Sequence, residues 1–149
     1  MKKVKKIITI CSSLSFYKDC LEIEKQLKKL GFKVKMPKTA HIMQRKNDFN
    51  VDHYKTWFKN AGDYKKKTQL MDGHFKKVVE SDAILVVNQE KKGIKGYVGG
   101  NVLMEMTLAH HYKKPIYLLN SIDSNSPFEE EIYGLNSIFI NQDLSKIKL

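Results

Sequence analysis

Glu105 is the residue whose type and position most call for a chemical explanation. It lies in the segment VLMEMTLAHHY. With Val102 as the origin of a helical wheel at about 100° per residue, Met106 and Ala109 flank the origin and Leu108 and Tyr112 extend the same apolar arc. Glu105 falls inside that arc, and a carboxylate on the buried side of a helix carries a desolvation cost. A capping box would account for it if Asn101 were the N-cap with Glu or Gln three residues on, but position 104 is Met. A buried Glu bonded to a backbone amide is the other structural account. A catalytic carboxylate is the reading we prefer.

The segment before that helix, NQEKKGIKGYVGGN (residues 88–101), is rich in glycine and runs into the helix N-terminus. Exposed amides and the positive end of a helix dipole make such a junction an anion site. It is neither a GK[ST] phosphate loop nor a GxGxxG turn, so its glycines could equally serve only as turn formers. Asn88, Tyr97, Gly99, Gly100 and Asn101 are the candidate ligand-binding residues it supplies, and Ser12 and Ser13 join them from the turn Cys11-Ser12-Ser13-Leu14-Ser15. His74, beside Met71 and Val78, reads by itself as a helix-edge residue. His110 and His111 sit late in their helix, where cations suit the dipole. Tyr54, Trp57 and Phe58 could stack on a base, although a local core or a subunit contact is the simpler role. Cys11 and Cys20 are nine residues apart and lack metal-ligand spacing, so they read as free thiols of a reducing compartment, and no metal site or cofactor is expected.

The elements that must position these groups alternate along the chain. Val4 to Cys11 is a short β-branched run suited to a buried strand. Ser15 is a plausible N-cap for the helix carrying Phe16, Cys20, Ile23, Leu27 and Leu30, which Gly31 ends as C′. Phe32 to Met36 alternates as a second strand and Pro37 closes it. Residues 38–66 form a polar insert without clear elements, read as a functional loop or helical lid. A helix from Thr68 to Ser81, the strand AILVV after Asp82, a helix from about Val102 to Tyr112, the strand Ile116 to Leu119, an acidic helix Pro127 to Tyr133 and the strand Ile138 to Ile140 complete the pattern. Strand–helix alternation of this kind demands a parallel sheet with helices on both faces. The expectation is one α/β domain over residues 1–149, flavodoxin-like, with five parallel strands in the order 2-1-3-4-5. Ligands then bind beyond the carboxyl ends of the first and third strands, where residues 11–15 and 88–101 meet.

The chain has 149 residues, 42% of them hydrophobic and 29% charged, so neither disorder nor membrane spanning is expected. The opening MKKVKKIITI has no small-residue cleavage site after its apolar run and reads as the first strand of a cytoplasmic protein. The net charge of +11 is built from lysine, with Arg45 the only arginine. Lysines scattered in pairs (Lys2-Lys3, Lys28-Lys29, Lys76-Lys77, Lys91-Lys92, Lys113-Lys114) and the triplet Lys65 to Lys67 suit solvated helix faces and an anionic small ligand. They argue against nucleic acid, whose bases and phosphates favour arginine.

The segment SDAILVVNQEKKGIKGYVGGNVLMEMTLAHHYKKPIYLLN resembles the nucleoside 2-deoxyribosyltransferases and the related 2′-deoxynucleoside 5′-phosphate N-hydrolases. Asp82, Gly99-Gly100, Glu105 and Lys114-Pro115 stand where that family has a strand-opening Asp, a Gly-rich loop, a helical Glu and a K-P before the fourth strand, and Cys11 to Ser13 resembles its Cys-Gly-Ser turn. The resemblance is good over 80–120, fair over 4–31 and absent over the insert. It implies cleavage or transfer at the N-glycosidic bond of a nucleoside or nucleoside 5′-monophosphate, with Glu105 attacking the anomeric carbon and a second group protonating the base. It also implies a homodimer or higher homo-oligomer. Two positions depart: the family's Asp eight residues before the strand-opening Asp is His74, with Asp72 about 200° away on the helix, and the aromatic of the first strand is Thr9. The resemblance makes His74 the candidate general acid, since imidazole titrates near neutrality, against its plain reading as a helix-edge residue. A non-catalytic nucleotide-binding or sensing module on the same fold is the alternative function.

Overall fold

The computed structural model describes residues 4–149; Lys2-Lys3 lies outside them. β1 (Ile7–Ser12), β2 (Lys33–Lys35), β3 (Ala83–Val87), β4 (Ile116–Leu118) and β5 (Ile138–Phe139) form one sheet in the order β2-β1-β3-β4-β5. Every neighbouring pair is parallel. This is the flavodoxin-like α/β arrangement expected from the alternating periodicities. β3 is buried at all five positions, as a central parallel strand covered on both faces must be. Asp82 fixes its register: its carboxylate accepts from Ile7 N at 2.7 Å while its own amide donates to Ile7 O at 2.8 Å.

The two faces hold separate cores. Ile8, Ile10, Leu85 and Val87 point to the side covered by α1 (Tyr17–Lys29) and α2 (Lys38–Lys46). Cys11, Ile84 and Val86 point to the side carrying Val78 of α3 (Tyr64–Glu80), Val102 and Met106 of α4 (Gly100–His111) and Ile132 of α5 (Glu129–Gly134). Gly31 ends α1 at φ +96°; its amide donates to Lys28 O at 3.0 Å and Phe32 N donates to Leu27 O at 3.1 Å. That double bond pattern is the left-handed glycine stop. Among the described residues no helix is long and apolar enough to cross a membrane.

Three local expectations change. Ser15 is not an N-cap: a 3₁₀ turn over Leu14–Phe16 precedes α1, and Ser15 is exposed in it. Strand β1 starts later than Val4, which is exposed. The insert is more regular than its composition suggested. α2 starts after Pro37, which cannot donate a backbone hydrogen bond, and it buries Thr39, Ala40 and Met43. The following helix starts four residues before Thr68, at Tyr64. What remains irregular, residues 47–63, carries two 3₁₀ turns whose amides are capped by Asn50 and Asn60.

Candidate functional site

The carboxyl ends of β1 and β3 open into a cavity of about 670 Å³, within the range of small-molecule sites. Its back wall is the turn after β1, its roof is α3 with the insert, and its floor is the first two turns of α4. Glycines let the 88–101 loop pass: Gly96 has φ +64°, and a Cβ there would stand 2.1 Å from the Ser121 carbonyl oxygen. Gly99 is the N-cap of α4 with no side-chain cap bond, and Gly99, Gly100 and Asn101 line the cavity, which places the uncapped, positive end of this helix at its wall.

Glu105 is 2% exposed and sits at the bottom of the cavity. Its Oε2 accepts from Asn101 Nδ2 at 3.1 Å, and its Oε1 lies 3.9 Å from His74 Nε2. His74, on α3, is 8% exposed; among the described residues neither ring nitrogen has a well-formed hydrogen bond, although the Ile10 backbone is near enough to raise its pKa slightly against the larger effects. Burial pushes the Glu105 carboxyl up to about 8, against the pull of a Cys11 hydrogen bond and the Lys67 charge. Burial, with the Lys77 charge, pushes His74 down to about 4. Both shifts have one physical cause, the expense of charge in a dry site. At neutral pH the pair therefore holds one proton, on Glu105. Cys11 completes the cluster: it is fully buried, and burial followed by the Glu105 carboxylate raises its thiol pKa.

The rim is cationic. Lys91 Nζ donates to Ser13 Oγ at 3.1 Å and stands 5.2 Å from the Tyr97 ring centroid. Lys67 Nζ reaches Asn101 Oδ1 at 3.4 Å and lies over the Trp57 ring at 5.3 Å. Lys55 joins them, its pKa lowered by burial and then by Lys92; burial and then Lys55 lower those of Lys67 and Lys91. Among the described residues none of these three lysines forms an ion pair with a carboxylate. Like charges held together without counter-charges favour an anionic ligand.

The structure brings Ser12, Ser13, Tyr97, Gly99, Gly100, Asn101, Glu105 and His74 into one cavity lining. Asn88 is not among them. It is fully buried; its Nδ2 donates to Asn120 O at 2.8 Å, and its Oδ1 accepts from Asn120 N at 2.9 Å. It ties the end of β3 to the end of β4. Ser12 lines the cavity but its hydroxyl is committed to Val87 O at 2.7 Å. Asp72 is exposed, as its wheel position required. The aromatic trio separates: Trp57 is buried against the cavity, Phe58 is 75% exposed, and Tyr54 donates to Asp48 O. His74 stands beside Glu105 rather than across a substrate from it, closer than the roughly 5 Å by which retaining glycosidases separate their two catalytic groups. Sequence reasoning named Cys11 only as a free thiol and turn residue, and Lys67 and Lys91 only within lysine clusters suited to an anion; Lys55 it did not name.

No family model matches the chain, and no curated protein matches it.

Proposed function

We propose that the cavity binds a nucleoside 5′-monophosphate and that the protein cleaves or transfers at its N-glycosidic bond, with Glu105 as the nucleophile. One observation carries this reading: a carboxyl and an imidazole, both buried and 3.9 Å apart, sit beneath a lysine-ringed cavity at the sheet's switch point. The phosphate would take the α4 amides, Ser13 and Lys91, and the base would lie toward Trp57 and Lys67. Glu105 cannot attack while protonated. Passing its proton to His74 gives a carboxylate and an imidazolium, and the imidazolium then gives that proton to the departing base. The carbon–nitrogen bond breaks as the ester between Glu105 and the anomeric carbon forms. Water hydrolyses the ester and restores the carboxylic acid, or a second base takes the sugar. His74 thus acts as proton carrier for both partners, which a group beside Glu105 can do by a small side-chain movement.

The test is release of free base from 2′-deoxynucleoside and ribonucleoside 5′-monophosphates, followed by chromatography. Glu105→Gln should lose cleavage by at least 10³-fold, the scale of removing a covalent nucleophile, with the fold retained. Activity within a few-fold of the unmodified protein rejects the assignment.

A non-catalytic nucleotide-binding module is favoured by a different feature, the burial that pushes the Glu105 carboxyl up to about 8 and so disfavours the nucleophilic carboxylate. Nucleotides that raise the melting temperature without being turned over would identify that function.

A further inference from the structure

Three side chains from three elements meet under the cavity. Cys11 at the end of β1, His74 midway along α3 and Glu105 on α4 each place one donor atom within 4.8 Å of the other two, and all three are buried. Thiol, imidazole and carboxyl are the donor types that bind zinc-class metals, and calcium and magnesium prefer oxygens alone. The imidazole is the telling member. Among the described residues its two nitrogens are buried without a well-formed hydrogen bond, the Ile10 backbone being the one polar group near enough to act on the ring, an uncommon state that suits a metal ligand. Glu105 is already oriented: Asn101 holds Oε2 and leaves Oε1 toward His74, the arrangement by which outer groups aim metal ligands.

We propose that Cys11 Sγ, His74 Nε2 and Glu105 Oε1 form a binding site for a divalent transition metal of the zinc class, with its fourth position open to the cavity. Bonds of roughly 2.0 to 2.3 Å in a tetrahedron put donors about 3.5 Å apart. The His74–Glu105 separation of 3.9 Å is close to that already, and rotation of the three side chains can close the rest. Binding releases one proton from the thiol and one from the carboxylic acid, so a doubly charged metal with a thiolate, a carboxylate and a neutral imidazole leaves the buried site with no net charge. The site rests on this geometry and stands whether or not the protein cleaves glycosides. A metal here takes the oxygen that the proposed nucleophile uses, so zinc and glycosidic cleavage exclude one another.

The experiment titrates the full, reduced, metal-free chain with Co²⁺ and follows its absorption spectrum, then displaces the cobalt with Zn²⁺ and measures bound zinc by equilibrium dialysis. Expected are one metal per chain, a thiolate-to-cobalt band in the near ultraviolet, and intense visible bands of tetrahedral cobalt. Cys11→Ser should abolish the near-ultraviolet band, Cys20→Ser should keep it, and His74→Ala should weaken zinc binding at least tenfold. The double substitution of His110 and His111 to Ala should change nothing. Absence of the thiolate band in the unmodified protein with excess cobalt overturns the proposal, whatever the variants do. So does a band that survives Cys11→Ser and disappears in Cys20→Ser, or zinc affinity unchanged in His74→Ala with wild-type circular dichroism.

Discussion

The Glu105–His74 pair makes stability depend on pH in a way that one substitution should remove. In the folded protein the Glu105 carboxyl titrates at about 8 against an ordinary 4.5, because it is buried. Between those values the unfolded chain has lost a proton that the folded chain keeps, so raising the pH favours unfolding. Over the full window this is about 5 kcal/mol at 1.36 kcal/mol per unit. His74 works the other way. It titrates at about 4 when folded and 6.5 when not, so stability rises with pH across that interval, by about 3 kcal/mol. The two slopes cancel between pH 4.5 and 6.5. From 6.5 to 8 only the carboxyl is active, and the pair's contribution falls by about 2 kcal/mol. Of the groups facing the pair, burial raises the Cys11 thiol and lowers Lys67 and Lys77 from their ordinary values. Urea unfolding at pH 6.5 and 8.0, with a chelator present, measures the drop. Glu105→Gln should lack it, having no proton to lose, and should be more stable than the unmodified protein at pH 8. Parallel stability curves for the two proteins across this interval would refute the claim that Glu105 is held protonated.

Lys91→Ala should raise the dissociation constant of a nucleoside 5′-monophosphate about tenfold, or about 1.4 kcal/mol, and leave the nucleoside unaffected; calorimetry at low and high salt separates the two. Asn88→Ala removes both polar atoms that pair with Asn120 and should cost about 2 to 4 kcal/mol in urea unfolding, with ligand affinity of the folded protein unchanged. Gly96→Ala forces a Cβ against the Ser121 carbonyl at positive φ and should lower the melting temperature by more than about 5 °C. An unaltered melting temperature would mean that the loop is free to move.

The sheet was legible because buried parallel strands announce themselves as β-branched runs, IITIC and AILVV above all, and because α1, which follows the first of them, stops at a glycine. The insert was not. α2 buries Thr39, Ala40 and Met43, a stripe too small and too polar to stand out among lysines. The first turn of α3 is Tyr64 and three lysines, which read as solvated loop. Glu105 was visible because it breaks an apolar arc, a local pattern. Its partners Cys11 and His74 are distant in sequence, and only the parallel β1–β3 register with α3 and α4 packed on one face brings them together. Asn88 misled for the converse reason: its place after β3 in a glycine-rich loop suits a ligand, and nothing local says that its side chain turns to Asn120.

Charge is distributed in this site in opposition to depth. The rim holds unpaired lysines and the floor holds groups that burial keeps neutral. Lys67 joins the two levels, since its charge is one of the influences that lower the Glu105 pKa. An anion bound to Lys67 would screen that influence, so the Glu105 proton would be held more tightly with a phosphate there. In the proposed reaction this proton is the one the base must receive before it can leave. A buried carboxyl beside a buried imidazole is costly to folding, and the proposed use of one proton for both the nucleophile and the leaving group would give that cost a functional reason.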